Sequence, residues 1–387
     1  MGGLRRNKSS KNPPILSHEF FIQNHADIVS CVAMVFVIGL MFQATNPLAS
    51  VFIAMHHNVT VNETEGEPSE MTFYTYGLKD VFATIFYTMI VIIIHAVIQE
   101  YILDKLNRKM HLSKVKHSKF NESGQLLIFY LVSAAWGLDI VIRENFASAI
   151  SRLWEGYPHA LLPFNIKFYF IVQLAYWIHC YPELYFQKIR KEEIGARVQY
   201  ASLYLAFITL AYLLNFTRVA LCLLILHYTV EFVFHVARLL YFADKIDMAN
   251  TGFMVWNVLF VIVRLSTIIL SVLTFWYGLE QSGVKSISLA TGNFNTGLVR
   301  INCLAALCLL QAWMMWNFIN FHLRRMRERS AAAAPTKRQP STRRTKDKKA
   351  KVKKDDDSSD TAETEGANTA TENGTVRQRG TPRSRRV

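Results

Sequence analysis

Eight stretches of mostly apolar residues, each long enough to cross a bilayer as a helix, leave this chain few folds to choose from. A transmembrane helix needs about 20 such residues. The stretches are 27–45, 80–99, 125–143, 164–182, 199–216, 219–241, 254–277 and 298–322. The expected fold is therefore all-α, a polytopic membrane helix bundle of about eight transmembrane helices. Only Thr217 and Arg218 separate the fifth stretch from the sixth, so the pair has to form a tight helical hairpin. A count of seven or six would make that pair re-entrant.

Composition agrees. Hydrophobic residues are 51% of the 387 and charged ones only 19%, against about 25% in soluble domains. Mean hydropathy is a modest +0.16 because a polar C-terminal tail dilutes the apolar body. From Arg324 onward that tail holds nineteen of the 43 Lys and Arg residues, and it is the main source of the net charge of +14. Beyond about Ser330 it runs through a basic block (337–354), an acidic one (355–360) and a final arginine cluster (377–386). Such a composition cannot bury a core and is expected to be disordered. A basic segment beside a membrane is drawn to anionic headgroups, and ribosomal RNA is a second acidic partner it could meet. The five cysteines lie in or beside apolar stretches with no C-x-x-C spacing, which reads as free buried thiols.

Lys and Arg in the loops set the expected orientation. The N-terminal arm carries Arg5, Arg6, Lys8 and Lys11. The loop after the second stretch carries Lys105, Arg108, Lys109, Lys114, Lys116 and Lys119, and the loop after the fourth Lys188, Arg190, Lys191 and Arg197. The alternate loops offer little beyond Lys79, Arg152, Arg218 and Lys285. Both termini are thus expected in the cytosol, with the first stretch an uncleaved signal anchor. Arg6 stands where an N-myristoylation site wants Ser or Thr. The sequons at Asn58 and Asn62 then fall in the first exoplasmic loop, where N-glycosylation is expected, Asn58 being favoured. Those at Asn121 and Asn373 fall on the cytosolic side, and the one at Asn215 sits in the tight hairpin, too close to the membrane.

One apolar stretch carries four ionisable residues. His227, Glu231, His235 and Arg238 share one helical face, within an arc of about 80° at ~100° per residue. Each costs at least ~2.5 kcal/mol at bilayer depth, so such a face normally meets protein or water rather than lipid. An H-x-x-x-E-x-x-x-H face could hold a metal or perform acid–base work. A catalytic metal wants a third strong ligand, however, and His95 and His179 lie in other stretches. No metal and no cofactor is expected; interhelical hydrogen bonding and an enclosed polar cavity are. Arg264, near the middle of the seventh stretch, needs an acidic partner, for which Glu231 is the first candidate. Asp139 and Arg143 form an i, i+4 pair. No Walker loop, Rossmann fingerprint, nucleophile elbow or HExxH is present.

Several long strings carry a family resemblance: LSHEF at 16–20, QNHADIVSC at 23–31, HAVIQEY at 95–101, HSKFNESGQ at 117–125, PELYFQK at 182–188 and TGNFN at 291–295. Together they resemble the translocating-chain-associated membrane protein (TRAM) family. Residues from about 118 to 327 also resemble the TLC domain that this family shares with Lag-type ceramide synthases. The division implied is a basic cytosolic arm (1–26), two transmembrane helices with a glycosylated lumenal loop (27–117), a TLC-type domain (118–327) and a cytosolic tail (328–387).

The synthases carry an R-K-D-F stretch, an adjacent His pair and an L-H-D-x-x-D-x-x-x-E-x-x-K run. Here the first survives as Arg190-Lys191-Glu192-Glu193, while the His pair falls on Gln199 and Tyr200. In the last run His227 is kept; Tyr228 and Glu231 stand at the Asp positions, His235 at the Glu and Arg238 at the Lys. Gln and Tyr cannot replace a His pair as general base or metal ligands near neutral pH. The resemblance thus implies a non-enzymatic endoplasmic reticulum protein beside the Sec translocon. It would contact signal sequences and transmembrane segments of ribosome-bound nascent chains, with membrane lipids as further partners and no DNA binding. The alternatives are a TLC-type lipid enzyme and a lipid-handling or transport protein.

Overall fold

The computed structural model describes residues 17–62, 70–281 and 285–333. The basic N-terminal arm and most of the C-terminal tail lie outside these residues. Two units are distinguished, one through Ala312 and one from Trp313 onward.

In the first unit, α1 (His18–Gln23) is capped by Ser17, whose Oγ accepts from the Phe20 amide. It leads into α2 (His25–Gly39) and α3 (Asn46–Ile53). A hairpin of β1 (Asn58–Asn62) and β2 (Glu70–Tyr74) follows, antiparallel with Asn58 opposite Tyr74. Next, α4 (Lys79–Ile98) continues through a π-helical turn (Gln99–Leu103) into α5 (Asp104–Met110). Then come α6 (Lys114–Arg143), α7 (Phe164–Phe186), α8 (Lys191–Leu213) and α9 (Thr217–Phe242). The next helix, α10 (Ile246–Ser271), unwinds into a second π segment (Val272–Gly278) and ends in the short α11 (Leu279–Gln281). A small ladder of β3 (Ile287–Ser288) and β4 (Asn293–Phe294) precedes α12 (Gly297–Ala333).

A helix underlies most of each of the eight expected stretches, but the count of spans is refined. Among the described residues, six helical segments are long and apolar enough to cross a membrane: Lys79–Met110, Val115–Arg143, Lys191–Leu213, Thr217–Phe242, Ile246–Gln281 and Gly297–Ser330. The helix expected first, α2, has only 15 residues, about 22 Å at 1.5 Å each, because the chain turns at Leu40–Thr45 and starts α3. Helix α7 has the length, at 23 residues, but polar and aromatic side chains (Lys167, Gln173, Tyr176, Trp177, His179, Glu183) dilute its apolarity. The tight hairpin is present: α8 ends at Leu213 and α9 begins at Thr217, with Asn215 left-handed at φ 57°.

Helix α9 is the centre of the first unit, packed mainly between α6 and α10. Small residues let the backbones close. A Cβ on Gly137 would sit 2.7 Å from Ile225, and one on Gly252 2.9 Å from Ala237. That is the small-residue packing expected where lipid supplies no hydrophobic drive between helices. Lipid-like surroundings are also written on the outside, where Val255, Val258, Ile262, Leu265 and Ile269 of α10 all lie exposed. The second unit holds the end of α12, where the Phe318 and His322 rings meet edge-on at 4.4 Å and Arg324, Arg325, Arg327 and Arg329 close the helix.

Candidate functional site: a polar network among the helices

The α9 face leads inward. His227 Nδ1 accepts from Arg264 Nη2 of α10 at 2.7 Å, and Arg264 Nη1 donates to Gln311 Oε1 of α12 at 3.0 Å. With that lone pair engaged, the imidazole proton sits on Nε2, which faces Tyr204 Oη of α8 in a short hydrogen bond. The chain of hydroxyls continues through Tyr200 at 3.2 Å to Tyr130 of α6 at 2.8 Å. Glu231 Oε1 stands 3.8 Å from His227 Nε2, too far for a hydrogen bond. Arg264 and Glu231 do act on each other electrostatically, and Arg264 in addition hydrogen-bonds His227, one helical turn from Glu231.

The remaining expected residues divide. His235 is buried and stacks on Tyr130, ring centroids 5.7 Å apart, while its Nδ1 has no hydrogen-bond partner among the described residues. Arg238 lies over the Phe242 ring at 5.7 Å, and its buried Nε is likewise unpartnered. Tyr200 joins the network, whereas Gln199 is exposed one residue away. Asp139 and Arg143 form their i, i+4 ion pair at 2.8 Å on an exposed face.

Behind this network lies an aromatic wall. Trp177 stacks flat on Tyr204 at 3.9 Å and donates to Tyr228 Oη at 3.3 Å. Tyr228 donates to Gln173, which donates to Ser133 Oγ at 2.9 Å. Sequence reasoning named Tyr200 and Tyr228 only as replacements in the synthase pattern and missed Tyr130 and Tyr204, although Tyr200 and Tyr204 are i, i+4 on one helix.

Two further clusters sit at opposite ends. At the hairpin end, Lys167 is fully buried, with Nζ 2.7 Å from Asp80 Oδ1, 2.7 Å from the His56 carbonyl and 2.8 Å from that of Thr75. Asp80 also accepts from Tyr212 Oη at 2.8 Å and the Gly77 amide at 2.9 Å. A lone lysine inside FNIKFYF was the available signal for this pair. Nearby, Gly292 approaches Asn215, which is fully buried and donates Nδ2 to the Gly292 carbonyl at 2.8 Å. The Asn215 sequon is therefore a packing residue. Asn58, by contrast, is exposed on β1; the sequon of Asn62 runs into residues outside those described.

At the other end the resemblance strings meet one another. His95 Nε2 faces Glu183 Oε1 at 3.2 Å, His95 Nδ1 faces His179 Nε2 at 3.3 Å, and Gln125 donates to the His95 carbonyl at 2.9 Å. Asn121 donates to Asp104 at 3.1 Å, and Gln99 to the same oxygen at 2.7 Å. His95 and His179 thus converge on each other, and their recorded partners do not include His227. Among the described residues no group of three His, Cys, Asp or Glu could hold a metal ion.

A membrane bundle with a tyrosine–histidine–arginine network inside a TLC-sized helical region defines the class. The TLC domain model matches residues 119–320. The human translocating chain-associated membrane protein 2 is 46% identical over 87% of this chain and 90% of its own length. The mouse protein of the same name is 47% identical over 83% and 85%. A ceramide synthase of Gibberella moniliformis is 25% identical over 60% of this chain and 52% of its own length. The chain belongs to the translocating chain-associated membrane protein family, within the TLC domain family.

Proposed function

We propose that the protein serves protein translocation at the endoplasmic reticulum as a non-enzymatic companion of the Sec translocon. It contacts signal sequences and transmembrane segments of ribosome-bound nascent chains and assists their passage or insertion. Close relatives named as translocating chain-associated membrane proteins support the association with translocation. The finer reading rests on the α9 face. Buried hydrogen-bonding atoms of His235 and Arg238 without partners among the described residues call for water or a polar guest. A polar groove of this kind lowers the cost of bringing weakly apolar or charged segments into the bilayer.

Acyl-transfer chemistry of the synthase kind is disfavoured by the same geometry. The His227 lone pair is occupied by Arg264, and the position of a second histidine holds Tyr200 as a hydrogen-bonded hydroxyl. With both termini in the cytosol, the hairpin carrying Asn58 and Asn62 is lumenal and glycosylated. The arm (1–26), the first helices (27–117), the TLC-type domain (118–327) and the tail (328–387) divide the labour, the tail meeting anionic lipid or ribosomal RNA.

Photocrosslinking from probes in a ribosome-bound nascent chain, in native membranes, tests the contact. Insertion of marginal signal sequences into depleted membranes, with and without the protein restored, tests the assistance. Absence of crosslinks and unchanged insertion for every substrate would refute the proposal. Ceramide formation by purified protein, lost in His227→Ala, would favour the lipid-enzyme reading instead.

A further inference from the structure

At the hairpin end of α10 and α12, away from the α9 network, a cleft of about 320 Å³ is lined by Phe275, Trp276, Glu280, Arg300 and Ile301. That volume is within the range of small-ligand sites. Its floor is a charged group that ought not to be left idle. Arg300 is only 6% exposed, yet Nη2 alone has a side-chain partner, Glu280 Oε2. Nε and Nη1 are buried and have no hydrogen-bond partner among the described residues. A guanidinium has five N–H donors, so three of them are unanswered by the described residues. Buried donors without partners are costly, and a site that keeps them normally has an occupant.

The walls say what kind. Phe275 and Trp276 lie on the π segment Val272–Gly278, a distortion common at functional sites. Trp276 and Tyr277 are exposed, as in the aromatic belts at membrane interfaces. Ile301 of the cleft and Leu298 one turn before it are also exposed and apolar. An arginine fork at the end of membrane helices, beside an aromatic belt and an apolar surface, matches a phosphate carried on acyl chains. Glu280 is shared with Lys285 at 2.7 Å, so the carboxylate is balanced from both sides and the net charge of the three groups is positive.

We infer that the cleft around Arg300 binds the phosphate of a membrane phospholipid headgroup, with the acyl chains lying against the exposed apolar surface of α10 and α12. The test is native mass spectrometry of the full-length protein in detergent. The lipid probe is phosphatidylcholine, diacylglycerol with the same chains serves as the phosphate-free control, and inorganic phosphate forms a third arm. Arg300→Gln should weaken phosphatidylcholine binding about tenfold, the scale of one charge-assisted contact, and leave diacylglycerol unaffected. Ile301→Trp, which narrows the cleft while leaving the Arg300 side chain in the sequence, should do the same and decides the matter if Arg300→Gln does not fold. Equal phosphatidylcholine binding by the wild type and the folded variants overturns the inference. So does binding of inorganic phosphate at Arg300 without preference for the lipid.

Discussion

The Lys167–Asp80 cluster and the α9 face put the same kinds of side chain inside the bundle to opposite effect. Lys167 has three oxygen partners within 2.8 Å, and Asp80 is held by a lysine, a tyrosine and an amide. They tie the hairpin backbone at His56 and Thr75 to α7 and, through Tyr212, to α8. On α9, His227 is held on both nitrogens, but His235 and Arg238 keep buried donor or acceptor atoms without partners. A closed polar cluster is structure. An open one is a place where something else can sit. Charge inside an apolar region does not distinguish them; the number of unanswered hydrogen-bonding groups does.

The largest effect should come from breaking the closed cluster. Lys167→Met leaves Asp80 buried without its counter-charge and should cost about 3–5 kcal/mol of stability. Thermal unfolding in detergent reads this out. Asp80→Asn combined with Lys167→Met should recover part of the loss, since no charge then stays buried alone. If Lys167→Met proves as stable as the wild type, the distinction between closed and open clusters falls.

Next in size is a pH effect at the same end. His159 is buried, its Nε2 donates to the Glu155 carbonyl at 2.9 Å, and burial, with Arg218 nearby, holds its pKa down to about 4. The unfolded chain takes up this proton near pH 6.5, so between about 6.5 and 4 the unfolded state binds more protons than the folded one. Stability from this residue is therefore full above pH 6.5 and declines as pH falls to 4, by on the order of 1–3 kcal/mol. His159→Gln should flatten that slope. An unchanged pH profile would mean that the surroundings of His159 are wetter than its burial indicates.

How much of this was legible in the sequence depends on the range of the interaction. All eight apolar stretches are mostly helical because length and apolarity are local properties, and the α9 face was legible because His227, Glu231, His235 and Arg238 obey a helical period. The shortness of α2 was not, since the turn at Leu40–Thr45 lies inside an apolar run and is held by side chains: Thr45 Oγ1 donates to the Gly39 carbonyl at 2.7 Å, and Asn46 Nδ2 to that of Leu40. Partners across helices were the least accessible. Nothing in sequence pairs Lys167 with Asp80, His95 with His179, or Tyr130 with Tyr200, because each contact is set by how helices pack. Arg264 illustrates the limit. Its interaction with Glu231 of α9 was readable, but the added hydrogen bond to His227 depends on which turn of α9 faces α10.

A smaller effect belongs to the tyrosine relay. Tyr204→Phe removes the hydroxyl between His227 and Tyr200 while keeping the ring stacked on Trp177. Interhelical hydrogen bonds in membranes are worth about 0.6 kcal/mol on average, so two lost bonds should cost about 1 kcal/mol. Tyr200→Phe should behave alike. If either cost as much as Lys167→Met, the relay would be a closed structural cluster too.

The smallest stability change separates the two regions most sharply. His235→Leu keeps the approximate volume and removes an imidazole whose Nδ1 has no protein partner. Replacing an unsatisfied buried polar group by an apolar one is close to neutral or stabilising. Unfolding of His235→Leu should therefore match or exceed the wild type, while insertion of marginal signal sequences into reconstituted membranes should fall, because the groove loses one of its polar contacts. The two readouts move in opposite directions only if the α9 face serves a guest. A loss of stability as large as that of Lys167→Met, with insertion unchanged, would make His235 a structural residue and reduce the α9 face to a second closed cluster.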